Sequence, residues 1–336
     1  MPFDVATAAT VVAIDLTSYD RILVAFSGGK DSLACLLHLL DCGVPSDKIE
    51  LHHHDVDGGG RAFMDWRVTP AYCRAVAEAL GIRLFFSYKE GGFEREMLRD
   101  QSRTAPMKWQ SEDGEWKQIG GTGGKESTRR KFPQVSPDLS VRWCSAYLKI
   151  DVMSAMIRNE DRFLTGKTLV ITGERAQESA ARAKYNAFEP DRTDNRDGPR
   201  VQRHVDRWRP VLYWSEAEVW AIIERHGIVP HPAYQLSWGR LSCMTCIFGS
   251  ADQWATIRAI FPERFTAVAD REGEFGVTIK RGMNLHQLAD RGTVYPAALT
   301  NPDLVRLADA EEWEGEIITD NWQLPAGAFG ESTGPT

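Results

Sequence analysis

A short glycine-containing run near the start of the chain has the residues of a phosphate-binding turn. Ser27-Gly28-Gly29-Lys30-Asp31-Ser32 follows an apolar run at 22–26 and precedes a helix-like stretch at 33–40. Adjacent glycines let the backbone approach an anion, and the N–H groups of a helix start favour negative charge. The lysine adds a cation and the two serines add hydroxyl donors. The spacing is neither GxxxxGK[ST] nor GxGxxG, and an ordinary strand-to-helix turn is the alternative.

Cysteines form a second set of reactive residues in the sequence. Cys243-Met244-Thr245-Cys246 places two thiols at a spacing that can converge on one metal ion or cluster. Cys144, in Arg142-Trp143-Cys144, is a third candidate ligand, although a buried helix cysteine is its alternative. The remaining cysteines, Cys35, Cys42 and Cys73, are expected to be small core residues.

Polar residues at the ends of predicted strands are further candidates. Asp31 is expected to help position Mg²⁺ on phosphates, because hard cations take oxygen ligands. Asp55 and Asp57 follow a strand and contact either ribose or metal, or else shape a turn. His52-His53-His54 is interpreted as structural, since successive side chains of a strand point to opposite faces.

Several basic residues have two interpretations each. Arg175, Arg182 and Lys184 either neutralise phosphate or lie on a helix surface. A basic face is predicted to track a nucleic-acid backbone, with a solvated loop as the alternative. Its members are Lys125, Arg129, Arg130, Lys131 and Arg142.

Composition narrows the class of protein. The 336 residues suffice for one large domain or two smaller ones, and 43% hydrophobic with 26% charged residues is typical of soluble globular proteins. No apolar run approaches the roughly 20 residues of a membrane span, and the first residues lack a basic secretory start. We therefore expect a cytoplasmic protein without membrane contact, whose six cysteines are reduced or bind metal. The net charge of −7 argues against a general nucleic-acid coat but permits a local basic groove.

The pattern of elements predicts an α/β fold. Strands at 22–26, 49–55 and 83–88 alternate with helices at 33–40 and 70–80, which indicates a twisted parallel sheet with helices on both faces. Ligands of such sheets bind beyond the carboxyl ends of the strands. Residues 100–140 are predicted to be a long insertion, followed by a helix at 141–157 and a strand at 168–172.

The second half of the chain is predicted to be mostly helical. Charged residues at 187–207 suggest a mobile loop. Ser215 and Glu218 form a capping-box pattern ahead of a helix with one apolar face. We predict a nucleotide-binding domain at 1–210, a helical region carrying the cysteine pair at 211–325, and a flexible tail at 326–336.

The motifs resemble those of a known superfamily over residues 20–250. SGGKDS resembles the PP-loop of ATP pyrophosphatases, and Gly173-Glu174-Arg175-Ala176-Gln177-Glu178-Ser179 with Arg182 resembles a G-x-R-x-x-E-S…R segment of the phosphoadenosine phosphosulfate (PAPS) reductase superfamily. The resemblance implies a PP-loop, adenine nucleotide alpha hydrolase-like fold that splits ATP with Mg²⁺. It implies that Ser27, Lys30, Asp31 and Arg175 act in catalysis. It also implies that nine residues contact the nucleotide: Ser27, Gly28, Gly29, Lys30, Asp31, Ser32, Asp55, Gly173 and Glu174.

The cysteines extend the resemblance and also limit it. Arg-Trp-Cys and the later CxxC lie where iron–sulfur sulfonucleotide reductases carry a Cys-Cys pair and a CxxC, which implies a [4Fe–4S] cluster on Cys144, Cys243 and Cys246. Zinc or a persulfide-relaying dithiol are the alternatives. Trp143 replaces one cysteine of the pair. The reductases also use a later cysteine, and none follows Cys246 in this sequence.

Among ATP-splitting relatives, the sequence resembles the DndC and SspD proteins of bacterial DNA phosphorothioation. That resemblance implies an ATP pyrophosphatase that adenylates a DNA backbone phosphate for sulfur insertion. The implied partners are DNA, a cysteine desulfurase and other phosphorothioation proteins, and a homodimer is also compatible. Alternatives are tRNA thiolation, reduction of PAPS or adenylyl sulfate, and an ATP-binding subunit without catalysis.

Overall fold

A computed structural model describes residues 14–136 and 138–330, which fold around one eight-stranded sheet. The strand order is β5-β4-β3-β2-β1-β6-β8-β7. The strands are β1 Arg21–Ala25, β2 Ile49–Asp55, β3 Arg83–Lys89, β4 Met107–Gln110, β5 Trp116–Ile119, β6 Lys167–Ile171, β7 Phe188–Pro190 and β8 His204–Trp208.

The five central strands, β3-β2-β1-β6-β8, run parallel to one another. Successive residues of β1 pack on opposite faces: Ile22 and Val24 contact a core that includes the first helix, whereas Leu23 packs with Met153 and Met156 on the other face. The predicted α/β architecture is therefore confirmed. Because both faces of β1 are covered by helices, its apolar residues form an unbroken run.

Helices surround the sheet and dominate the second half of the described chain. The α-helices are α1 Lys30–Asp41, α2 Thr69–Ala79, α3 Gly92–Met97, α4 Trp143–Ser145, α5 Asp151–Asn159, α6 Glu216–Arg225, α7 Pro232–Gln235, α8 Ala251–Ile260, α9 Pro262–Phe275, α10 Leu285–Ala289, α11 Pro296–Thr300 and α12 Pro302–Ala308. A π-helical turn, Ala146–Ile150, joins α4 to α5. The predicted capping box of α6 is present, with Ser215 Oγ accepting from Glu218 N.

Two segments differ from the sequence predictions. The insertion at 100–140 contains the hairpin β4–β5, which extends the sheet in antiparallel fashion from β3. The prediction of a mobile loop at 187–207 is wrong, because this segment forms β7 and the first part of β8, which pair antiparallel. Its charges satisfy one another: Arg207 pairs with Asp191 at 2.5 Å and Arg196 pairs with Asp206 at 2.5 Å.

The helical region packs against the sheet domain through two cores. In the first, Trp220 and Ile223 of α6 join Leu36 of α1. In the second, Phe93 and Trp143 join residues of α8 and α9. Both cores contain residues from the two predicted domains, and the predicted domain boundary near residue 210 stays a prediction.

The end of the described chain lies against α7, with Gly327 N donating to Tyr234 O at 2.7 Å. Residues 331–336 of the predicted tail lie outside the described residues. No helix among the residues that the structure covers is long and apolar enough to cross a membrane.

Candidate functional site

The glycine run forms a tight turn between β1 and α1. Gly28 has a φ of 74°, a conformation that residues with a Cβ rarely adopt, and Gly29 is the N-cap of α1. Ser27 N donates to Ser32 Oγ at 3.3 Å, and Ser32 Oγ donates to Gly29 O at 2.9 Å. The two serines therefore hold the turn in shape before any ligand arrives.

A second strand end comes close to this turn. Gly173 follows β6, and a Cβ added to it would lie 2.9 Å from the carbonyl carbon of Asp31. Glycine is required here because the backbone of this strand end touches the start of α1. The two glycine motifs recognised in the sequence thus meet at the carboxyl edge of the sheet, as the fold predicts.

A cavity of about 370 Å³ opens at this edge. Six of the nine predicted nucleotide-binding residues line it: Ser27, Gly29, Asp31, Ser32, Gly173 and Glu174. Its apolar part includes Ile150, Met153, Ile157 and Val170. A cavity that has an anion-binding turn on one side and an apolar wall on the other suits a ligand that carries both anionic groups and an aromatic ring.

The charges around the cavity do not balance locally. Its four acidic residues are each ion-paired: Asp31 with Arg175, Glu174 with Arg209, Glu178 with Arg182, and Asp191 with Arg207. In contrast, Arg142, Lys149 and Arg240 line the cavity, and the described residues offer them no ion-pair partner. The cavity therefore carries unneutralised positive charge.

Three buried polar atoms on lining residues also have no hydrogen-bond partner among the described residues. They are Nε of Arg142, Oγ1 of Thr172 and Oε2 of Glu174, which lies 3.3 Å from Arg209 Nε in its ion pair. Burying a polar group without a partner costs free energy, so such atoms are expected where a ligand or water completes the site. Both observations favour an anionic, hydrogen-bonding ligand.

Lys30 does not line the cavity. Its Nζ donates to Gly239 O at 2.7 Å and lies 3.5 Å from Glu216 Oε1. The ammonium also lies 5.4 Å from the centre of the Tyr234 ring. The Lys30 side chain, which was expected to bind phosphate, therefore contacts the helical region in this structure.

Arg175 and Asp31 form a buried ion pair with each other. Arg175 Nε donates to Asp31 Oδ1 at 2.5 Å, and the arginine side chain is 4% exposed. Burial opposes the charge of Arg175, but the neighbouring Asp31 carboxylate outweighs it and raises the pKa of the guanidinium. Asp31, expected to position Mg²⁺, is neutralised by this pair, and Arg175 positions Asp31 rather than lining the cavity.

Asp55 lies outside the cavity. Its two carboxylate oxygens accept from Asp57 N at 2.8 Å and from Gly59 N at 2.7 Å. The carboxylate therefore shapes the turn after β2, the alternative considered for it from sequence. Its assignment to the nucleotide site is not supported, because the turn carries the side chain to a separate groove lined also by Asp57 and Asp65.

The three candidate ligand cysteines border one apolar cluster. Cys144, Cys243 and Cys246 all pack against the second core. Among the described residues, no group of three or more His, Cys, Asp or Glu side chains is placed to hold a metal ion. Burial, with a contribution from Cys246, raises the pKa of the Cys144 thiol to about 11. The [4Fe–4S] cluster that the resemblance implies stays a prediction.

The other three cysteines and the histidine triplet have structural placements. Cys35 and Cys73 are buried, but Cys42 is exposed, which corrects its assignment to the core. It is the C-cap of α1, where the helix reaches the surface. His53 Nδ1 lies 3.1 Å from Phe26 O, as expected for a structural side chain. His54 Nδ1 lies 2.7 Å from Ser87 Oγ, but His54 also lines the cavity, so a structural role for the whole run stays a prediction.

The predicted basic face is only partly available. Arg129 pairs with Glu96 at 2.9 Å and stacks over Trp143, and Arg130 pairs with Glu274 at 2.8 Å. Arg142 lines the cavity instead of the surface. Lys125 and Lys131 are exposed, and they have no ion pair within the described residues. The sequence showed the charges, but not the carboxylates that other segments bring to them.

Residues from distant segments complete the site and were missed or underestimated from sequence. Lys149 comes from the π-helical turn, and Tyr234 with Arg240 comes from the region just before the cysteine pair. No local pattern marks them as site residues. The run Trp238-Gly239-Arg240 was noted only as the flank of the cysteines.

Comparisons with known proteins identify relatives of parts of this chain. The chain is 36% identical over 146 residues to an uncharacterized 37.8 kDa protein of Escherichia phage 186, a match covering 44% of this chain and 42% of that protein. It is 31% identical over 85 residues to the adenosine 5'-phosphosulfate reductase of Allochromatium vinosum, covering 25% of this chain and 30% of the reductase. The chain therefore matches less than half the length of each relative.

Among solved structures, the FMN adenylyltransferase of Candida glabrata in complex with ATP aligns over 68% of this chain and 53% of that one, with 12% identity and a TM-score of 0.37. The family model of the phosphoadenosine phosphosulfate reductase domain matches residues 21–248. That range begins at β1, contains both glycine motifs and ends just after the cysteine pair. The chain belongs to the phosphoadenosine phosphosulfate reductase domain family.

Proposed function

We propose that this protein is an ATP pyrophosphatase that adenylates a phosphate oxygen of its substrate. The observation that carries the proposal is the cavity at the serine–glycine turn, where Arg142, Lys149 and Arg240 have no ion-pair partner in the part of the chain that the structure describes. Fixed cations and backbone N–H groups in a partly enclosed site stabilise the charge that develops during phosphoryl and adenylyl transfer. The apolar wall formed by Ile150, Met153 and Ile157 would hold the adenine ring.

The proposed reaction conserves every atom. An oxygen of the acceptor phosphate attacks the α-phosphorus of ATP, the α–β bond breaks, and pyrophosphate leaves. The acceptor phosphate then carries AMP as a leaving group. A persulfide sulfur attacks its phosphorus, AMP departs with the oxygen, and a thiol reductant cleaves the remaining sulfur–sulfur bond. Mg²⁺ accompanies ATP as the cation on its phosphates.

The acceptor that we propose is a DNA backbone phosphate, with the sulfur supplied by a cysteine desulfurase. This choice depends on the resemblance of the sequence to phosphorothioation proteins. The ion pairs of Arg129 and Arg130 leave only a small basic surface, so partner proteins would provide most of the DNA affinity.

Deletion of the gene followed by mass detection of phosphorothioate linkages in host DNA tests the acceptor. We expect the linkages to disappear, and to return on complementation with the wild-type chain. Complementation with Ser27→Ala, which removes a cavity-lining hydroxyl, is expected to restore them poorly. Host DNA that keeps its linkages after deletion, or never contains them, would contradict the DNA assignment.

A second candidate is reduction of adenylyl sulfate. Its support is the 31% identity to the Allochromatium vinosum reductase over 85 residues. The two reactions release different products, because a reductase forms sulfite from adenylyl sulfate and consumes a thiol reductant. Sulfite formed at a rate above that of pyrophosphate release from ATP would favour this candidate.

A further inference from the structure

Lys30 offers two donor groups at the start of α1, its backbone N–H and its ammonium, and both donate to the helical region. Its backbone N–H donates to Tyr234 Oη at 2.9 Å. Its ammonium donates to Gly239 O at 2.7 Å. At a glycine turn that opens a helix, these are the donors that a phosphate would take.

Tyr234 connects this turn to the segment that carries the cysteine pair. Its hydroxyl also accepts from Leu241 N at 3.1 Å, so one oxygen joins the first residue of α1 to residues 239–246, here called the cysteine segment. The side chain is 2% exposed, and its ring packs edge-on against Trp220 at 5.1 Å. Burial raises the pKa of Tyr234, so the hydroxyl stays neutral at physiological pH and accepts in this way.

We propose that Tyr234 is a positioning residue through which nucleotide phosphates and the cysteine segment compete for Lys30. This inference depends on the proposed function, since it takes ATP to bind at the serine–glycine turn. A phosphate that accepts from the single backbone N–H of Lys30 displaces Tyr234 Oη, and a phosphate that draws the ammonium into the cavity also breaks the bond to Gly239 O. Binding of nucleotide thereby releases the cysteine segment from α1.

The competition has a reciprocal consequence. If phosphate binding loosens the cysteine segment, then loosening the segment must strengthen phosphate binding by the same factor. Removing the Tyr234 hydroxyl should therefore tighten nucleotide binding. If Tyr234 served only to support the fold, removing its hydroxyl would weaken nucleotide binding or leave it unchanged, because a disturbed site binds its ligand less well.

The test uses the full chain carrying Tyr234→Phe, with Tyr19→Phe as the matched control. Tyr19 is also a buried tyrosine, its hydroxyl donates to Asp206 Oδ2 at 2.8 Å, and it precedes β1 at the opposite edge of the sheet. Calorimetric titration with the magnesium complex of α,β-methylene ATP measures affinity without turnover. Hydrogen–deuterium exchange of the cysteine segment, with and without this nucleotide, measures its release.

In the wild type, we expect the nucleotide to accelerate exchange of the cysteine segment at least threefold. Tyr234→Phe should show the fast exchange without nucleotide and bind the nucleotide at least threefold more tightly. Tyr19→Phe should match the wild type in both. Lys30→Met provides a second variant: its segment should also exchange fast without nucleotide, because the bond to Gly239 O is gone.

The outcomes separate the inference from the function on which it depends. Nucleotide that binds the wild type but leaves exchange of the segment unchanged would overturn the inference alone. Equal or weaker binding by a folded Tyr234→Phe would do the same. Failure of the wild type to bind any adenine nucleotide would overturn the proposed function and the inference together.

Discussion

At the scale of single residues, the structure gives the conspicuous charged side chains roles that their types alone do not reveal. Arg175 and Asp31 neutralise each other, and Lys30 is held by Gly239 and Glu216. The cations that remain for a ligand are Arg142 and Lys149, which lie in the segment of α4 and the π-helical turn, and Arg240, which lies in the cysteine segment. The serine–glycine turn was recognisable because its chemistry is local, whereas these cations depend on the fold.

Glu50 provides a residue-scale test of buried charge. It lies on β2, is 1% exposed, and pairs with Arg162 at 2.7 Å and with His52 at 3.2 Å. Burial alone would raise its pKa, but the bonds from His52 and Arg162 outweigh burial and lower it to about 2. The folded state therefore binds this proton less tightly than the unfolded chain. The resulting stability is present above about pH 4.5 and is lost as pH falls towards 2.

Glu50→Gln should lower the free energy of unfolding by about 3 kcal/mol at pH 7. The difference from the wild type should shrink as pH falls from 4.5 to 2, which urea denaturation at several pH values measures. Glu314→Gln is the control, because Glu314 is exposed and pairs with Arg306 at the surface, away from Glu50 and its partners. A loss that is equal at both ends of this pH range would contradict the account.

At the scale of elements, the sequence predicted those whose apolar pattern is strong. The strands β1, β2, β3 and β6 and the helices α1, α2 and α6 were placed within a few residues, because buried faces impose regular spacing. The single helix predicted at 141–157 is instead a succession of α4, the π-helical turn and α5 at 143–159. The strands β4, β5, β7 and β8 were missed. They lie at or near the sheet edges and are rich in charged or polar residues, so their identity depends on pairing partners and ion pairs such as Arg207–Asp191.

The helix α6 gives an element-scale prediction, because it carries Glu216 and Trp220 to Lys30. Ser215→Ala removes the side-chain acceptor of its capping box and should cost about 1 kcal/mol of stability. Ser215→Asp keeps an acceptor and should cost much less. Guanidinium denaturation of the three proteins measures this, and equal stability of the alanine and aspartate variants would show that the cap does not stabilise the helix.

At the scale of the whole molecule, the serine–glycine turn is the meeting point of the parallel sheet and the helical region. β1 and β6 bring their carboxyl ends to the turn, and α6, α7 and the cysteine segment cover it through Glu216, Tyr234 and Gly239. The sequence predicts the parallel sheet and the helical region separately. It does not predict the contacts of Lys30 with Tyr234 and Gly239, because no local pattern signals a contact between residues about 200 positions apart. Both the sheet and the helical region must therefore be folded for the site to form.

The most direct test of the central claim is phosphorus NMR of the products formed from Mg-ATP. The account predicts AMP and pyrophosphate, and it predicts that Ser27→Ala lowers their rate of formation by more than tenfold, about 1.4 kcal/mol of transition-state stabilisation. Arg306→Ala is the control, because Arg306 is an exposed residue of α12 outside the cavity. Formation of ADP and orthophosphate would contradict the account, since it would place bond cleavage between the β and γ phosphates.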